Sequence, residues 1–120
     1  MPPTDSSTTR PLAGTIFYIL LALADRDEYG LGIVEEVARR TNDEVRLGPG
    51  TLYNAIKRML SEGLIEETTG PDDPIAGDPR RRYYRITRAG RAQLAGEAER
   101  LERLVRAARA KKVLPARSKP

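Results

Sequence analysis

The sequence predicts a mostly helical α+β fold in which three helices precede a two-stranded hairpin and a long helix follows it. Three observations carry that prediction. Leu52, Ile56, Met59 and Leu60 recur at helical spacing, as do the apolar residues of 31–40. Two stretches suited to strands, "LIEETT" (64–69) and "RYYRIT" (82–87), bracket the connection "GPDDPIAGDPRR" (70–81), whose three prolines and two glycines suit a loop or ribbon tip. Beyond them Leu94, Ala98, Leu101, Val105 and Ala108 recur at spacings of 4, 3, 4 and 3.

Taken in order, residues 1–10 ("MPPTDSSTTR") and 114–120 ("LPARSKP") read as disordered tails, because Pro, Ser, Thr and charge leave little to bury. From Leu12 to about Ala24 a nearly all-round apolar run predicts a buried first helix, which the acidic stretch "DRDEYG" (25–30) breaks. A second helix follows at about 31–40, with Ile33, Val34 and Val37 toward the core and Glu35, Glu36, Arg39 and Arg40 toward water. "TNDE" (41–44) signals a turn, and the alternation in "VRL" (45–47) suits a very short strand.

The third helix opens at Pro49, where a missing N–H costs nothing, with Gly48 as a tolerable N-cap. It closes at Gly63, a left-handed stop, with Leu64 folding back on the last turn. In the second strand of the hairpin, an inward Ile86 places Tyr84 inward and Tyr83 and Arg85 outward. Thr87 suits the N-cap of the last helix, which runs to about Lys112 with basic residues near its end. A helix of ~25 residues is ~37 Å long and overhangs so small a body, so its stripe suits a partner chain better than its own domain. The order of elements spells a winged helix-turn-helix (11–87), with a two-stranded wing and a long C-terminal dimerisation helix (88–113).

Composition narrows the function. At 120 residues the chain is one domain, 39% hydrophobic and 32% charged. It holds neither cysteine nor histidine, so disulfides, thiolate or imidazole metal sites and the commonest general bases and nucleophiles are missing. The carboxylates have no catalytic spacing, so neither an enzyme nor a cofactor is expected. No apolar run reaches 18 residues and no signal peptide is recognisable, which suits a cytoplasmic chain without a membrane partner. Residues 1–79 hold 7 Lys+Arg against 14 Asp+Glu, whereas residues 80–120 hold 14 against 3. Such a basic half suits phosphate contact, although a solvated helix with an Arg-rich tail would carry the same charge.

In a winged helix-turn-helix the third helix enters the major groove and a basic hairpin touches the adjacent backbone. The face opposite the apolar stripe of that helix carries Thr51, Tyr53, Asn54, Lys57 and Arg58, all hydrogen-bond donors and none acidic. That face is the candidate surface for duplex DNA. Leu94, Ala98, Leu101, Val105 and Ala108 are the candidate dimerisation residues.

Local motifs add a family. "VRLGPGTLYNAIKRMLSEGLIEE" (45–67), "GDPRRRYYRITRAGRAQL" (77–94) and "ILLALADRDEYGLGIVEEV" (19–37) resemble, in order and at the right spacing, the PadR family of bacterial transcriptional regulators. Their signature runs roughly "LSPGTLYPALKRLEEEGLI", then "PRRKYYRLTEAGR". The resemblance covers about residues 15–95 and points to the compact branch, in which one helix after the wing makes the homodimer. It implies a repressor acting on double-stranded operator DNA, relieved in several members by a small aromatic effector.

Carried over by motif, the resemblance puts Thr51 and Tyr53 at the start of the recognition helix, with Lys57 toward the groove and Arg58 toward phosphate. Arg80, Arg81 and Arg82 fall on the return strand of the wing, suited to phosphate or minor-groove contact. Three residues depart from the pattern. Asn54 stands where proline is usual, and either pairs with adenine or merely faces solvent. Gly48 replaces a serine cap, and Asp72 and Asp73 at the wing tip would repel phosphate. The family's effectors stack on aromatics between the first and last helices, which leaves Phe17 and Tyr18 as the ligand-binding candidates; ordinary core packing also accounts for both. The alternative function is a winged-helix module for protein–protein contact without a DNA partner, which would carry acidic or apolar residues on the third helix. RNA binding would call for exposed aromatics on a sheet, a description only Tyr83 meets.

Overall fold

The computed structural model describes residues 13–69 and 82–115, so the predicted tail 1–10, residues 116–120 of the predicted tail 114–120, and the wing tip lie outside the described residues. It is mostly helical with a small antiparallel sheet. The elements are α1 (Gly14–Ala22), β1 (Glu28–Tyr29), α2 (Gly30–Arg40), α3 (Pro49–Ser61), β2 (Ile65–Thr68), β3 (Tyr83–Ile86) and α4 (Arg88–Ala110).

α1 buries Ile16, Ile19, Leu20 and Ala22, and Leu23 continues the core past its end. It stops short of Ala24, because Leu23 and Ala24 already turn the chain toward the sheet with short i→i+3 bonds. The segment after α1 departs from the sequence expectation. Glu28–Tyr29, read as part of a break, forms a strand that pairs with Tyr83–Tyr84, and the sheet has three strands in the order β1-β3-β2. A strand of two residues is too short to show alternation, so only its partner reveals it. The rings of Tyr29 and Tyr83 meet at 5.4 Å across that pairing.

α2 turns Ile33 and Val37 inward, with Val34 half-buried. Its C-terminus runs into the predicted turn, where Asn42 and Asp43 take positive φ of 54° and 65°. The short strand expected at 45–47 does not form. The N–H of Val45 donates to Thr41 Oγ1 at 3.0 Å instead of to a neighbouring strand, and Leu47 plugs the core from a loop.

α3 begins as the sequence predicts, with Gly48 at the N-cap and Pro49 in the first turn. Its end is a complete Schellman stop. Gly63 adopts φ +75°, its N–H donates to Leu60 O at 3.2 Å, and Leu64 N–H reaches Met59 O at 2.9 Å. β2 and β3 pair from Ile65↔Ile86 to Thr68↔Tyr83, which puts Ile65, Tyr84 and Ile86 in the core as alternation requires. Thr87 caps α4, accepting from Gly90 N–H at 3.0 Å. α4 ends at Ala110, earlier than residue 113, with Lys112 in the left-handed region. The core gathers one apolar face from each helix over the inner face of the sheet, with Leu52, Ile56 and Met59 as the contribution of α3.

Candidate nucleic-acid interface

Because Leu52, Ile56 and Met59 anchor α3 inward, helical geometry turns Thr51, Tyr53, Asn54, Lys57 and Arg58 outward together, and all five are exposed. The two cations among them differ in state. Arg58 Nε donates to Glu62 Oε2 at 3.0 Å, one turn further along the helix. Lys57 has no ion-pair partner among the described residues, which leaves its ammonium to solvent. The hydroxyl of Tyr53 lies over Gly30 at the start of α2, so its phenol bridges from α3 toward its neighbour.

The foot of the wing is less basic than its sequence suggests. Arg82 Nη1 sits 3.2 Å from Glu67 Oε2, across the β2–β3 ladder. Arg85 lies 3.6 Å from both Asp27 and Glu66 and donates to Thr68 Oγ1 at 2.7 Å, tying the outer face of the sheet together. Arg82 is therefore partnered by a carboxylate rather than presented bare, while Arg80 and Arg81 lie outside the described residues. Glu62, Glu66 and Glu67 were not singled out from the sequence. The i, i+4 spacing of Arg58 and Glu62 could have revealed the first, but the cross-strand pairs depend on register. Between the sheet and α3, burial holds the phenol of Tyr84 above its usual range, with the Glu67 carboxylate adding to the shift.

The proposed dimerisation residues divide. Leu94 belongs to the core of its own chain, a correction to its reading as part of an open seam, because α4 is still packed against the body at that point. Leu101 and Ala108 are half-buried, and Ala98 and Val105 are exposed. The exposed part of the stripe also includes Leu104, at 54% exposure, and beyond the helix Val113 and Leu114. Glu97, unnoticed in the sequence, is only 7% exposed and accepts from Arg100 at 3.0 and 2.6 Å, a bond that raises the guanidinium's affinity for its proton. On α1, Phe17 and Tyr18 meet edge to face at 6.3 Å, half-buried against the core. Among the described residues no cluster of His, Cys, Asp or Glu could hold a metal ion, and no helix is long and apolar enough to cross a membrane.

Comparison with known proteins fits this geometry. The profile of the transcriptional regulator PadR-like family matches residues 19–96. The transcriptional regulator Rv3488 of Mycobacterium tuberculosis is 33% identical over 89 residues, spanning 74% of this chain and 77% of the relative. Among solved structures, a transcriptional regulator from Clostridium thermocellum superposes with a TM-score of 0.66 at 26% identity, covering 95% of this chain and all of that one. A PadR family regulator from Clostridium difficile gives the same TM-score and identity over 82% of this chain and 97% of its own.

Proposed function

This chain belongs to the transcriptional regulator PadR-like family, and from that premise we propose that it is a homodimeric repressor reading operator DNA with the outer face of α3. The carrying observation is the exposed set Thr51, Tyr53, Asn54, Lys57 and Arg58 on a helix whose other face is locked into the core. Thr51 and Tyr53 position the helix against the backbone, Asn54 reaches a base edge, and Lys57 supplies the charge that displaces counterions. Arg80, Arg81 and Arg82 extend the contact along the wing.

A single helix of this size buries too little surface for specificity, so the reading requires two copies presenting their α3 helices about 34 Å apart. Leu101, Leu104, Val105 and Ala108 supply the surface for that pairing, and Phe17 and Tyr18 would flank it as the place for an aromatic effector.

The direct test is a gel-shift titration with the duplex upstream of the protein's own gene against a scrambled duplex of equal length. Specific retardation by a dimer, weakening steeply with salt, is the expected outcome. Equal affinity for both duplexes at every salt concentration would reject sequence-specific control, and retardation of neither would favour a protein-binding module.

A further inference from the structure

The recognition helix and the helix that carries the exposed apolar stripe meet at one side chain. After the Schellman stop of α3, the carbonyls of Gly63 and Leu64 point toward the start of α4. Thr87 Oγ1 donates to Gly63 O at 2.6 Å, and Thr87 N–H donates to Leu64 O at 3.0 Å. The same hydroxyl accepts from Gly90 N–H at 3.0 Å. Gly90 closes the joint from the other side, since a Cβ built there would lie 2.1 Å from Leu64 O. Among the described residues, both hydrogen bonds between the end of α3 and the start of α4 belong to Thr87.

We infer that Thr87 is a positioning residue: its hydroxyl fixes the angle between α3 and α4, and thereby the half-site spacing that two copies can read. The inference rests on the proposed dimeric DNA-binding function. Capping alone does not account for the residue, because Asp or Asn caps a helix at least as well as Thr. A carboxylate would accept from Gly90 N–H but has no proton to give Gly63 O. Only a hydroxyl serves both bonds through one atom.

The lever arm makes the angle matter. α4 is about 34 Å long, so a tilt of about 5° at its first turn moves its far end by about 3 Å. That displacement is close to the rise of one base pair, about 3.4 Å, so a small error at residue 87 becomes an error of one position in the spacing of half-sites.

Two measurements test the joint. The first needs neither DNA nor a partner. The chain has no cysteine, so spin labels at Ser61→Cys and Glu99→Cys, in a chain diluted with unlabelled protein, report the distance between α3 and α4 within one protomer. Wild type and Thr87→Ser should give one narrow distance distribution, and Thr87→Asp and Thr87→Val should broaden it about twofold.

The second measurement uses palindromic duplexes whose half-sites are separated in steps of one base pair. Thr87→Ser should keep the wild-type preference. Thr87→Asp and Thr87→Val should reduce discrimination between neighbouring spacings about fivefold, the worth of one neutral hydrogen bond. A Thr87→Asp protein with wild-type distances would overturn the joint, since it would show that capping is all the residue does. Broadened distances with unchanged spacing preference would overturn its role in DNA reading. A wild type that binds none of the duplexes would reject the DNA-binding function itself, while the label distances still decide whether Thr87 sets the angle.

Discussion

Along α4, Gly90, Leu94 and Glu97 face into the protomer, whereas Leu104 and Val105, about three turns beyond Leu94, face away from it. The first half is held at several points: Thr87 ties it to the end of α3, and Arg91 Nη2 donates to Ala24 O at 2.9 Å, behind α1. The second half touches little of its own chain, yet it keeps apolar residues at the same helical spacing. Burial in the protomer accounts for the first set, whereas the second is the surface that the proposed dimer would cover. In the proposed dimer one helix serves two bodies, with the boundary at its midpoint near Glu97 and Arg100.

That division breaks most visibly at its exposed end. Leu104→Glu combined with Val105→Glu should abolish self-association while leaving the protomer folded, with the parent's helical content by circular dichroism. Each buried Leu contributes about 1.5–3 kcal/mol, and a two-fold interface counts every substitution twice. Sedimentation velocity should show a dimer for the parent protein, as proposed, and a monomer for the double variant at the same concentration. A dimer that survives both charges would move the interface elsewhere. Removing everything from residue 94 onward is a less clean test, because the loss of Leu94 would leave a hole in the core.

At the packed end, Gly90→Ala probes the close approach to Leu64 O. In an open helix this change gains about 1 kcal/mol of propensity. Here the added methyl meets a backbone carbonyl that cannot rotate away, and overpacking of that kind costs about 1–3 kcal/mol. Chemical denaturation should therefore show a net loss of stability. A stabilised Gly90→Ala protein would mean that α4 can shift off β2 without cost. Gly96, a few residues along with nothing near it, supplies the control, since alanine there should stabilise.

These contrasts also separate what the sequence disclosed from what it withheld. Local rules act within a few residues, and they located the Gly48–Pro49 start of α3, the Gly63 stop, the Thr87 cap and the inward Tyr84 and Ile86. β1 escaped because a two-residue strand has no period of its own and exists only by pairing with Tyr83 and Tyr84. The stripe on α4 was legible as spacing, but spacing cannot tell that Leu94 faces its own core while Val105 does not. The donor face of α3 was legible for the same reason as its apolar face: the two are complementary halves of one helical period. The partners of Arg82 and Arg85 were not, because they lie 15 or more positions away in sequence and depend on strand register.

Pairing also sets apart the two cations of α3. Among the described residues Lys57 has no ion-pair partner to surrender, so Lys57→Ala should lower the slope of log affinity against log salt by about 1. Arg58 must give up Glu62 before it meets a phosphate, and the carboxylate left behind opposes the gain. Arg58→Ala should therefore change the slope by less. Equal changes would show that the Glu62 pair dissolves on binding and has no influence on the contact.

The smallest effect lies on α2, away from both faces. Glu36 accepts from Arg40 Nη2 at 2.8 Å and also from Arg39, so the carboxyl is held below its usual range, chiefly by Arg40, with burial opposing. A carboxyl bound more weakly to its proton in the folded chain stabilises the fold above its unfolded pKa, about 4.3, and loses that contribution as pH falls through the lower folded value. Pairs at i, i+3 and i, i+4 are worth about 0.2–0.5 kcal/mol each, so Glu36→Gln should cost under about 1 kcal/mol at pH 7. The cost should shrink toward zero as pH falls through the lowered folded pKa of Glu36, below which both proteins carry a neutral side chain at residue 36. Denaturation curves above and below that pKa check the sign: a cost that grows on acidification would mean that Glu36 is held by its burial rather than by its two arginines.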